Sequence, residues 1–373
     1  MRSGLYIHVP FCASRCPYCD FAFVVRKSHL AQRYARAVAR ELTTRMPEAG
    51  PSAVIETVYF GGGTPSSVSA RALGQILEQA RQVADLPLEA EITAEANPTD
   101  RDQFGAINAV GINRLSLGFQ SLDDRDLKSL GRLHDSAAAV SSFQAAREAG
   151  FGNIGVDLIF GAPGQSVTSW EATLDRTIAL EPEHISIYGL TVEPGTAFHR
   201  RAAKGQLELP GEGEQADMYE GALDRLVASG HAQYEVSNFA RPGYESRHNI
   251  GYWEGRPYLG LGLSAHSFVD GRRSWNKRDL TSYIDSVESS GTAVEDTEVL
   301  SATTRLHERI MLGLRRSDGV PEDLLAGGGS ASPLQRLVDG HLLKRSGGRV
   351  RLTRRGLLLA DLVCAEFMGM GEA

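Results

Sequence analysis

The chain has 373 residues, of which 42% are hydrophobic and 23% charged. This length predicts two domains, or one large domain with an appendage, and a core that needs no disulfides. The formal net charge of −7 argues against a nucleic-acid-binding protein, which would carry a basic face. No apolar run approaches the roughly 18 residues of a membrane span, and Pro10 and Cys12 interrupt any signal-peptide core. We expect a cytoplasmic protein, for which peripheral contact with a membrane stays open.

Predicted strands and helices alternate through the first half of the chain. Strands are predicted at residues 5–9, 57–60, 88–94, 112–117, 154–160 and 184–190. Helices are predicted between them at residues 28–46, 69–84, 101–109, 124–130, 136–149 and 167–180. Such alternation indicates parallel strands joined by right-handed crossovers. Six units favour a partial, TIM-like barrel over a closed barrel of eight, with chemistry at the carboxyl ends of the strands.

The second half is less regular. Helices are predicted at residues 212–230 and 303–314, an edge strand at 234–237, and a glycine turn at 327–330. The tail reads as a helix, a strand pair and a last helix, which is typical of a small winged-helix-like unit. We predict an α/β protein with a partial barrel at residues 1–240, an aromatic and glycine-rich connection at 241–295, and an α+β domain at 296–373.

Three of the four cysteines lie within eight positions, directly after the first predicted strand: Cys12, Cys16 and Cys19. In a reducing compartment, clustered thiols point to metal or redox chemistry before they point to disulfides. Three thiolates on a four-iron cluster leave one iron with an open position. Zinc, which normally takes four nitrogen or sulfur ligands in a structural site, is the weaker alternative. Three unrelated buried cysteines are weaker still.

The Cys-x3-Cys-x2-Cys run, with Tyr18 before its last cysteine, resembles the signature of the radical S-adenosylmethionine superfamily. The resemblance implies a [4Fe–4S] cluster held by Cys12, Cys16 and Cys19, and an electron donor for it. It also implies that S-adenosylmethionine chelates the open iron and is cleaved to a 5′-deoxyadenosyl radical. The run Gly-Gly-Gly-Thr-Pro matches the segment that holds the amino group of S-adenosylmethionine. The implied cofactor contacts are Tyr6, Tyr18, Gly62, Gly63, Thr64, Glu95, Gln120, Arg132 and Asp157.

Asp157 is the strongest of these contacts on physical grounds, because it interrupts the apolar run VDLIFG. A buried carboxylate costs several kcal/mol unless it has hydrogen-bond partners. Ribose hydroxyls would supply them, and so would backbone amides. Arg132 would pair with a carboxylate, or would be an ordinary arginine on the surface of a helix.

The segments YIHVPFC, YFGGGTPS, RLSLGFQS, VDLIFGAPGQ and ISIYGLTVEPGT resemble the coproporphyrinogen oxidase-like branch of the superfamily. That branch contains an oxidative decarboxylase, coproporphyrinogen III dehydrogenase, and a group of heme chaperones. The dehydrogenase has a further cysteine two positions after the third, where this chain has Phe21, and a longer arm before the first strand. The run RHNIGYW contains the HNxxYW pattern of the chaperones. The resemblance therefore favours heme binding and transfer to acceptor apoproteins, and the decarboxylase is the alternative.

His248 in this run is the candidate heme ligand, because imidazole commonly binds heme iron. Tyr252 and Trp253 offer aromatic faces for a flat macrocycle. The competing interpretation is an aromatic turn that packs the end of the barrel. His266 is a second candidate imidazole.

Overall fold

The computed structural model describes residues 2–50, 53–325 and 333–368. The strands in chain order are β1 (Arg2–Val9), β2 (Phe11–Cys12), β3 (Val24–Val25), β4 (Val54–Gly62), β5 (Glu91–Ala96), β6 (Arg114–Gln120), β7 (Ile154–Phe160), β8 (His184–Gly189), β9 (Ala232–Gln233), β10 (Asn238–Ala240), β11 (Tyr258–Leu261), β12 (His266–Val269), β13 (Arg272–Asn276), β14 (Val294–Val299), β15 (Val320–Pro321), β16 (Leu343–Ser346) and β17 (Arg349–Leu352). The predicted glycine turn at 327–330 lies outside the described residues.

The α-helices in chain order are α1 (Ala31–Arg45), α2 (Ala70–Val83), α3 (Phe104–Ala109), α4 (Asp124–Ser129), α5 (Ser136–Glu148), α6 (Val167–Ile178), α7 (Ala197–Ala202), α8 (Glu212–Ala228), α9 (Arg247–Trp253), α10 (Leu280–Ser290), α11 (Ala302–Leu314), α12 (Pro333–Asp339), α13 (Arg354–Leu358) and α14 (Ala360–Ala365). Short 3-10 helices lie at Ser28–Leu30, Met46–Ala49, Pro65–Ser67, Pro98–Gln103 and Glu322–Leu325. Within the described part of the chain, no helix is both long and apolar enough to cross a membrane.

A twelve-stranded sheet of the described chain has the order β14-β13-β12-β11-β1-β4-β5-β6-β7-β8-β10-β9. Neighbouring strands from β11 through β8 run parallel, whereas both edges are antiparallel. The strands β1 and β4 to β8 are the six predicted units. The predicted α/β partial barrel is therefore confirmed.

Strand β11 was not predicted, although it pairs in parallel with β1 from Gly4↔Tyr258 to Ile7↔Leu261. On its other side β11 lies close to β12, and Gly260 makes this approach possible, because a Cβ there would lie 1.8 Å from the His266 carbonyl oxygen. The edge strand predicted at 234–237 is wrong. Strands β9 and β10 flank these residues, whose backbone instead bonds to the tail: Val236 N–H donates to Arg315 O at 3.0 Å.

The central strands bury one face in the main core and turn the other toward a cavity, since successive residues of a strand point to opposite sides. Ile7 and Phe60 are fully buried in the apolar core. Tyr59, Glu95 and Asp157 face the cavity. The polar residues within these strands therefore mark the inside of the partial barrel.

The tail forms a separate apolar cluster that includes Ile310, Val350 and Phe367. Its sheet, β15-β17-β16, is antiparallel and lies between α11 and the last helices in the chain. This is the predicted small α+β unit of winged-helix type. Arg354 ties it to the barrel through an ion pair with Asp224 on α8. The domain boundaries at 240 and 295 stay a prediction.

Candidate functional site

The loop between β1 and α1 carries the clustered cysteines. Cys12 ends β2, which pairs in parallel with β3 and fixes the start of the loop. All three thiols are half-buried and line a cavity of about 470 Å³. Cys12 Sγ lies 3.7 Å from Thr64 Oγ1, and Arg132 Nη1 lies 3.6 Å from Cys16 Sγ. The thiols, the glycine-rich turn and Arg132 thus meet at one end of the cavity.

The end of β4 requires glycine because its backbone runs close against β1. Gly62 has a φ of +111°, and a Cβ there would lie 2.4 Å from His8 Cε1. A Cβ on Gly63 would lie 2.7 Å from the carbonyl carbon of Pro10. A side chain at either position would push this turn away from the cysteine loop. The two glycines therefore keep the turn close to β1 and to the start of the cysteine loop.

Glu95, near the end of β5, is held by two donors. Its carboxylate accepts hydrogen bonds from the Tyr59 hydroxyl at 3.0 Å and from the Gly62 backbone N–H at 3.1 Å. Burial, followed by the nearby Asp157 carboxylate, raises the pKa of Glu95 to about 7 in spite of these donors. Glu95 therefore changes charge near neutral pH.

Asp157 lies on β7 and finds its partners in neighbouring serines. The Ser116 hydroxyl donates to its carboxylate at 3.0 Å. Burial raises the pKa of Asp157, while the hydroxyls of Ser186 and Ser116 act against that shift. The protein itself thus supplies partners for this carboxylate, and they are neither of the two kinds considered from the sequence.

Arg132 follows α4 and is fixed over the cysteine loop. It donates to the Gly118 carbonyl at 2.9 Å and to the Asn97 side chain, and so is not a surface-helix arginine. Gln120 lines the same cavity and has a φ of +69°, an unusual conformation for a residue with a side chain. These side chains border the cavity on the side of β5 and β6.

The structure brings most of the predicted cofactor contacts to the cavity wall, with two exceptions. Tyr18 lines the cavity, but Tyr6 does not. The Tyr6 hydroxyl is hydrogen-bonded to His8 Nδ1 at 3.1 Å, and its ring stacks on Tyr59 with 6.3 Å between ring centroids. Tyr6 therefore lies behind the cavity wall, as a support for Tyr59.

His248 is the second exception, because it is buried on α9 behind Tyr59. Its Nδ1 lies 2.8 Å from Thr57 Oγ1, and its Nε2 lies 2.9 Å from the Tyr252 hydroxyl. Burial lowers the pKa of His248 to about 3, so the ring is neutral. Both ring nitrogens already have partners in this conformation. His266, in contrast, is exposed and stacks on Trp275 with 5.9 Å between centroids.

Several cavity residues were missed by the sequence analysis, among them Asn97, Phe21 and Leu133. Asn97 donates to Thr64 Oγ1 at 3.2 Å and accepts from Arg132, so it links the glycine turn to that arginine. Its position directly after β5, in the run Glu-Ala-Asn-Pro, was the available signal. Phe21 and Leu133 also line the cavity, yet they are 63% and 65% exposed. Apolar side chains of this exposure form a rim accessible to ligands.

The three cysteines are not arranged around a single metal ion. Among the described residues, no three Cys, His, Asp or Glu side chains converge closely enough to hold one metal ion. A four-iron cluster is larger than a single ion, so its three thiolate ligands stand farther apart. Burial raises the pKa of the Cys12 thiol to about 11 and also raises that of Cys19. Bound iron would be needed to hold these sulfurs as thiolates.

Comparisons with known proteins agree with this geometry. The model of the radical SAM superfamily matches residues 6–177, and that of the HemN C-terminal domain matches residues 300–359. The solved structure of Escherichia coli coproporphyrinogen III oxidase (HemN) superposes with a TM-score of 0.84 at 25% identity, covering 99% of this chain and 90% of that one. The fold and the cysteine loop are those of the radical SAM class.

Full-length relatives identify the family within this class. The heme chaperone HemW of Bacillus subtilis is 36% identical over 382 residues, which span 99% of this chain and all of the relative. HemW of Lactococcus lactis is 34% identical, spanning 98% of this chain and 97% of the relative. The mitochondrial radical S-adenosyl methionine domain-containing protein 1 of Danio rerio is 34% identical, spanning 97% and 86%. This chain belongs to the HemW family.

Proposed function

We propose that this protein binds heme and transfers it to heme-accepting apoproteins. The observation that carries the proposal is the identity to HemW of Bacillus subtilis over essentially the whole of both chains. The match includes the cysteine loop, the cavity and the tail. A cytoplasmic location stays a prediction.

Cys12, Cys16 and Cys19 are proposed to hold a [4Fe–4S] cluster at the cavity end, with S-adenosylmethionine beside it. The family implies both groups, and the fit rests on three thiols that line one cavity. When bound, the cluster supplies one-electron chemistry toward the sulfonium of S-adenosylmethionine. Tyr18 and Arg132 border the cysteines, and Arg132 offers positive charge beside Cys16.

The remaining cavity contacts are proposed to orient S-adenosylmethionine. The backbone at Gly62 and Gly63 and the Thr64 hydroxyl line the cavity near the cysteines and would hold its amino acid end. Glu95 and Asp157 are acceptors for ribose hydroxyls or for positive charge, and Gln120 lies on the strand between them. Tyr6 acts indirectly, because its ring packs against Tyr59, whose hydroxyl donates a hydrogen bond to Glu95.

Heme is proposed to dock at the cavity rim, where Phe21 and Leu133 present apolar surface. A flat hydrophobic macrocycle would cover these side chains and remove them from water. His248 lies below Tyr59, with its two nitrogens bonded to Thr57 and Tyr252. Ligation of heme iron by His248 therefore requires that at least one of these hydrogen bonds be broken.

Heme titration of the cluster-loaded protein tests this proposal, with His248→Ala and His266→Ala as a matched pair. If His248 ligates the iron, its replacement changes the heme absorption spectrum, and that of His266 does not. If only His266→Ala changes the spectrum, the ligand is His266. Wild-type protein that takes up no heme would contradict the proposed function itself.

The second candidate function is oxidative decarboxylation of coproporphyrinogen III, which the match to HemN favours. That structure shares the fold over 99% of this chain, at lower identity than the HemW relatives. The two functions differ in what happens to the porphyrin, because a chaperone returns heme unchanged. Anaerobic incubation with coproporphyrinogen III therefore separates them.

A further inference from the structure

The cavity has a second polar end, at the amino ends of three parallel strands and away from the cysteines. Arg114 begins β6, and His184 begins β8. Ser116 on β6, Gly155 on β7 and His184 on β8 lie side by side in register. Arg114, Ser116 and His184 all line the cavity. We call this second end the floor of the cavity. Functional groups of such barrels usually gather at the carboxyl ends of the strands, so the polar residues of the floor need a separate explanation.

Arg114 is 2% exposed and carries a buried donor that nothing accepts. Within the described residues, its Nε has no hydrogen-bond partner, and no carboxylate lies within the 4.0 Å of an ion pair. The Asp157 carboxylate interacts with Arg114 only electrostatically, from beyond the distance of an ion pair. A guanidinium has five N–H donors, and leaving buried donors unmatched is costly. An ordinary structural arginine would be paired by its neighbours.

Gly155 lies on β7 where three polar atoms of the neighbouring strands converge. A Cβ on this residue would lie 3.3 Å from Arg114 Nη2, 3.3 Å from His184 Nδ1 and 3.4 Å from Ser116 Oγ. Any side chain would therefore crowd these atoms. Glycine weakens the interior of a strand, and it often marks a close approach by a ligand or another backbone.

The His184 ring presents an unpartnered nitrogen to the cavity. It is 1% exposed, its Nδ1 has no partner among the described residues, and its Nε2 lies 2.8 Å from the Tyr234 hydroxyl. In the tautomer whose Nε2 accepts the Tyr234 hydrogen, the ring hydrogen lies on Nδ1 and is free to donate.

We propose that Arg114 and His184, at the end of the cavity that both residues line, form a subsite for the carboxylate of a small organic ligand. The guanidinium and the imidazole N–H are both donors, as an anion requires. A planar carboxylate matches the fork of the guanidinium. A phosphate would bring more negative charge close to the Asp157 carboxylate, which already accepts the hydrogen bond of the Ser116 hydroxyl. Asn249 lines the same end of the cavity and adds an uncharged amide.

Two sources of this carboxylate have the same chemistry. One is a free small carboxylate that enters the cavity. The other is a propionate of heme, and this source rests on the proposed function. The first is probed with sodium propionate against propionamide, and the second with heme against its dimethyl ester.

Calorimetric titration of the cluster-loaded protein at constant ionic strength tests the free source. Propionate should bind wild-type protein and propionamide should not, and Arg114→Gln and Gly155→Ala should each weaken propionate at least about tenfold. Gly155→Ala keeps the arginine but crowds Arg114 Nη2 and His184 Nδ1, so it tests the site without removing the charge. Arg125→Gln, at an exposed arginine on α4, is the control and should bind as wild type.

The heme titration tests the second source. If a heme propionate occupies the subsite, esterification weakens heme binding in wild-type protein but has little further effect in Arg114→Gln or Gly155→Ala. The subsite is refuted if propionate binding is absent or unchanged by both variants and esterification also acts equally on all three proteins. Failure of heme to bind contradicts the proposed function alone, and the propionate titration then decides the subsite.

Discussion

Asp157 shows how individual residues in this cavity differ from their appearance in the sequence. Its place in an apolar run correctly indicated a carboxylate that needs partners, and the Ser116 hydroxyl is one of them. His248 stood out through its motif, yet it is buried with both ring nitrogens bonded. Arg114 attracted no attention, because an arginine at the start of a strand is ordinary until its surroundings are known. At this scale, geometry decides which polar residues have unmet hydrogen bonds.

The thiol assignment predicts a loss of cluster without a loss of fold. Replacing Cys12, Cys16 and Cys19 together with alanine should abolish the visible absorption of the iron–sulfur cluster after anaerobic reconstitution. The circular dichroism spectrum should persist, because the main core lies on the other face of the strands. Cys364→Ala is the matched control, since that thiol is buried in the tail cluster. Loss of absorption in this control would contradict the three-ligand assignment.

The raised pKa of Glu95 predicts a pH dependence of S-adenosylmethionine binding. With a pKa of about 7, Glu95 is mostly protonated below this pH and mostly ionised above it. The ionised form attracts the sulfonium, so affinity should rise several-fold between about pH 6 and about pH 8. Glu95→Gln carries no charge at either pH and should flatten the rise. The rise is measured by equilibrium binding of S-adenosylmethionine to the cluster-loaded protein at each pH. A pH profile in Glu95→Gln that equals that of the wild type would refute this role.

Helix α1 illustrates how elements are joined around the barrel. Arg45, at its end, is 2% exposed and donates to the Gly260 carbonyl at 3.1 Å and to Ser267 and Ser274. Glu41, one turn earlier, is fully buried and accepts from the Gly262 backbone N–H at 2.9 Å. Through these contacts α1 fastens β11 and its antiparallel neighbours to the edge of the barrel at β1.

Breaking this junction should cost far more stability than breaking an exposed ion pair of the same helix. Arg45→Met leaves Glu41 buried without its cation, which should lower the free energy of unfolding by about 3–5 kcal/mol. Arg33→Met removes exposed pairs to Glu288 and Asp285, which solvent screens, and should leave the free energy of unfolding almost unchanged. Urea unfolding measures both. Equal losses would contradict a structural role for the buried pair.

The sequence predicted elements well where apolar runs were long and continuous. The strand predicted at residues 154–160 coincides with β7, and the helix predicted at 28–46 contains α1. Strand β11 has only four residues, two of them apolar leucines, and its pairing with β1 depends on sequence-distant contacts. The residues between β9 and β10 looked like a strand, but they bond to the tail instead. Local patterns cannot supply such long-range partners.

The whole molecule couples its tail to the floor of the cavity. The Ser317 backbone N–H donates to the Tyr234 carbonyl at 3.1 Å, and the hydroxyl of Tyr234 contacts His184. The rim with Phe21 and Leu133 lies at the other end, beside the cysteines. The family resemblance identified the cysteine end of this cavity, whereas the floor was found only once the strands were aligned. One cavity thus connects a cluster loop, an apolar rim and a buried arginine.

The most direct test of the central claim is one anaerobic reaction that follows heme and porphyrinogen together. Heme-loaded, cluster-loaded protein is mixed with a heme-free b-type cytochrome, coproporphyrinogen III, S-adenosylmethionine and reductant. Our account predicts that heme appears in the cytochrome faster than it passes to apomyoglobin, which reports passive release, and that coproporphyrinogen III is unchanged. Protoporphyrinogen formation above a cluster-free control, with heme transfer no faster than passive release, would contradict it.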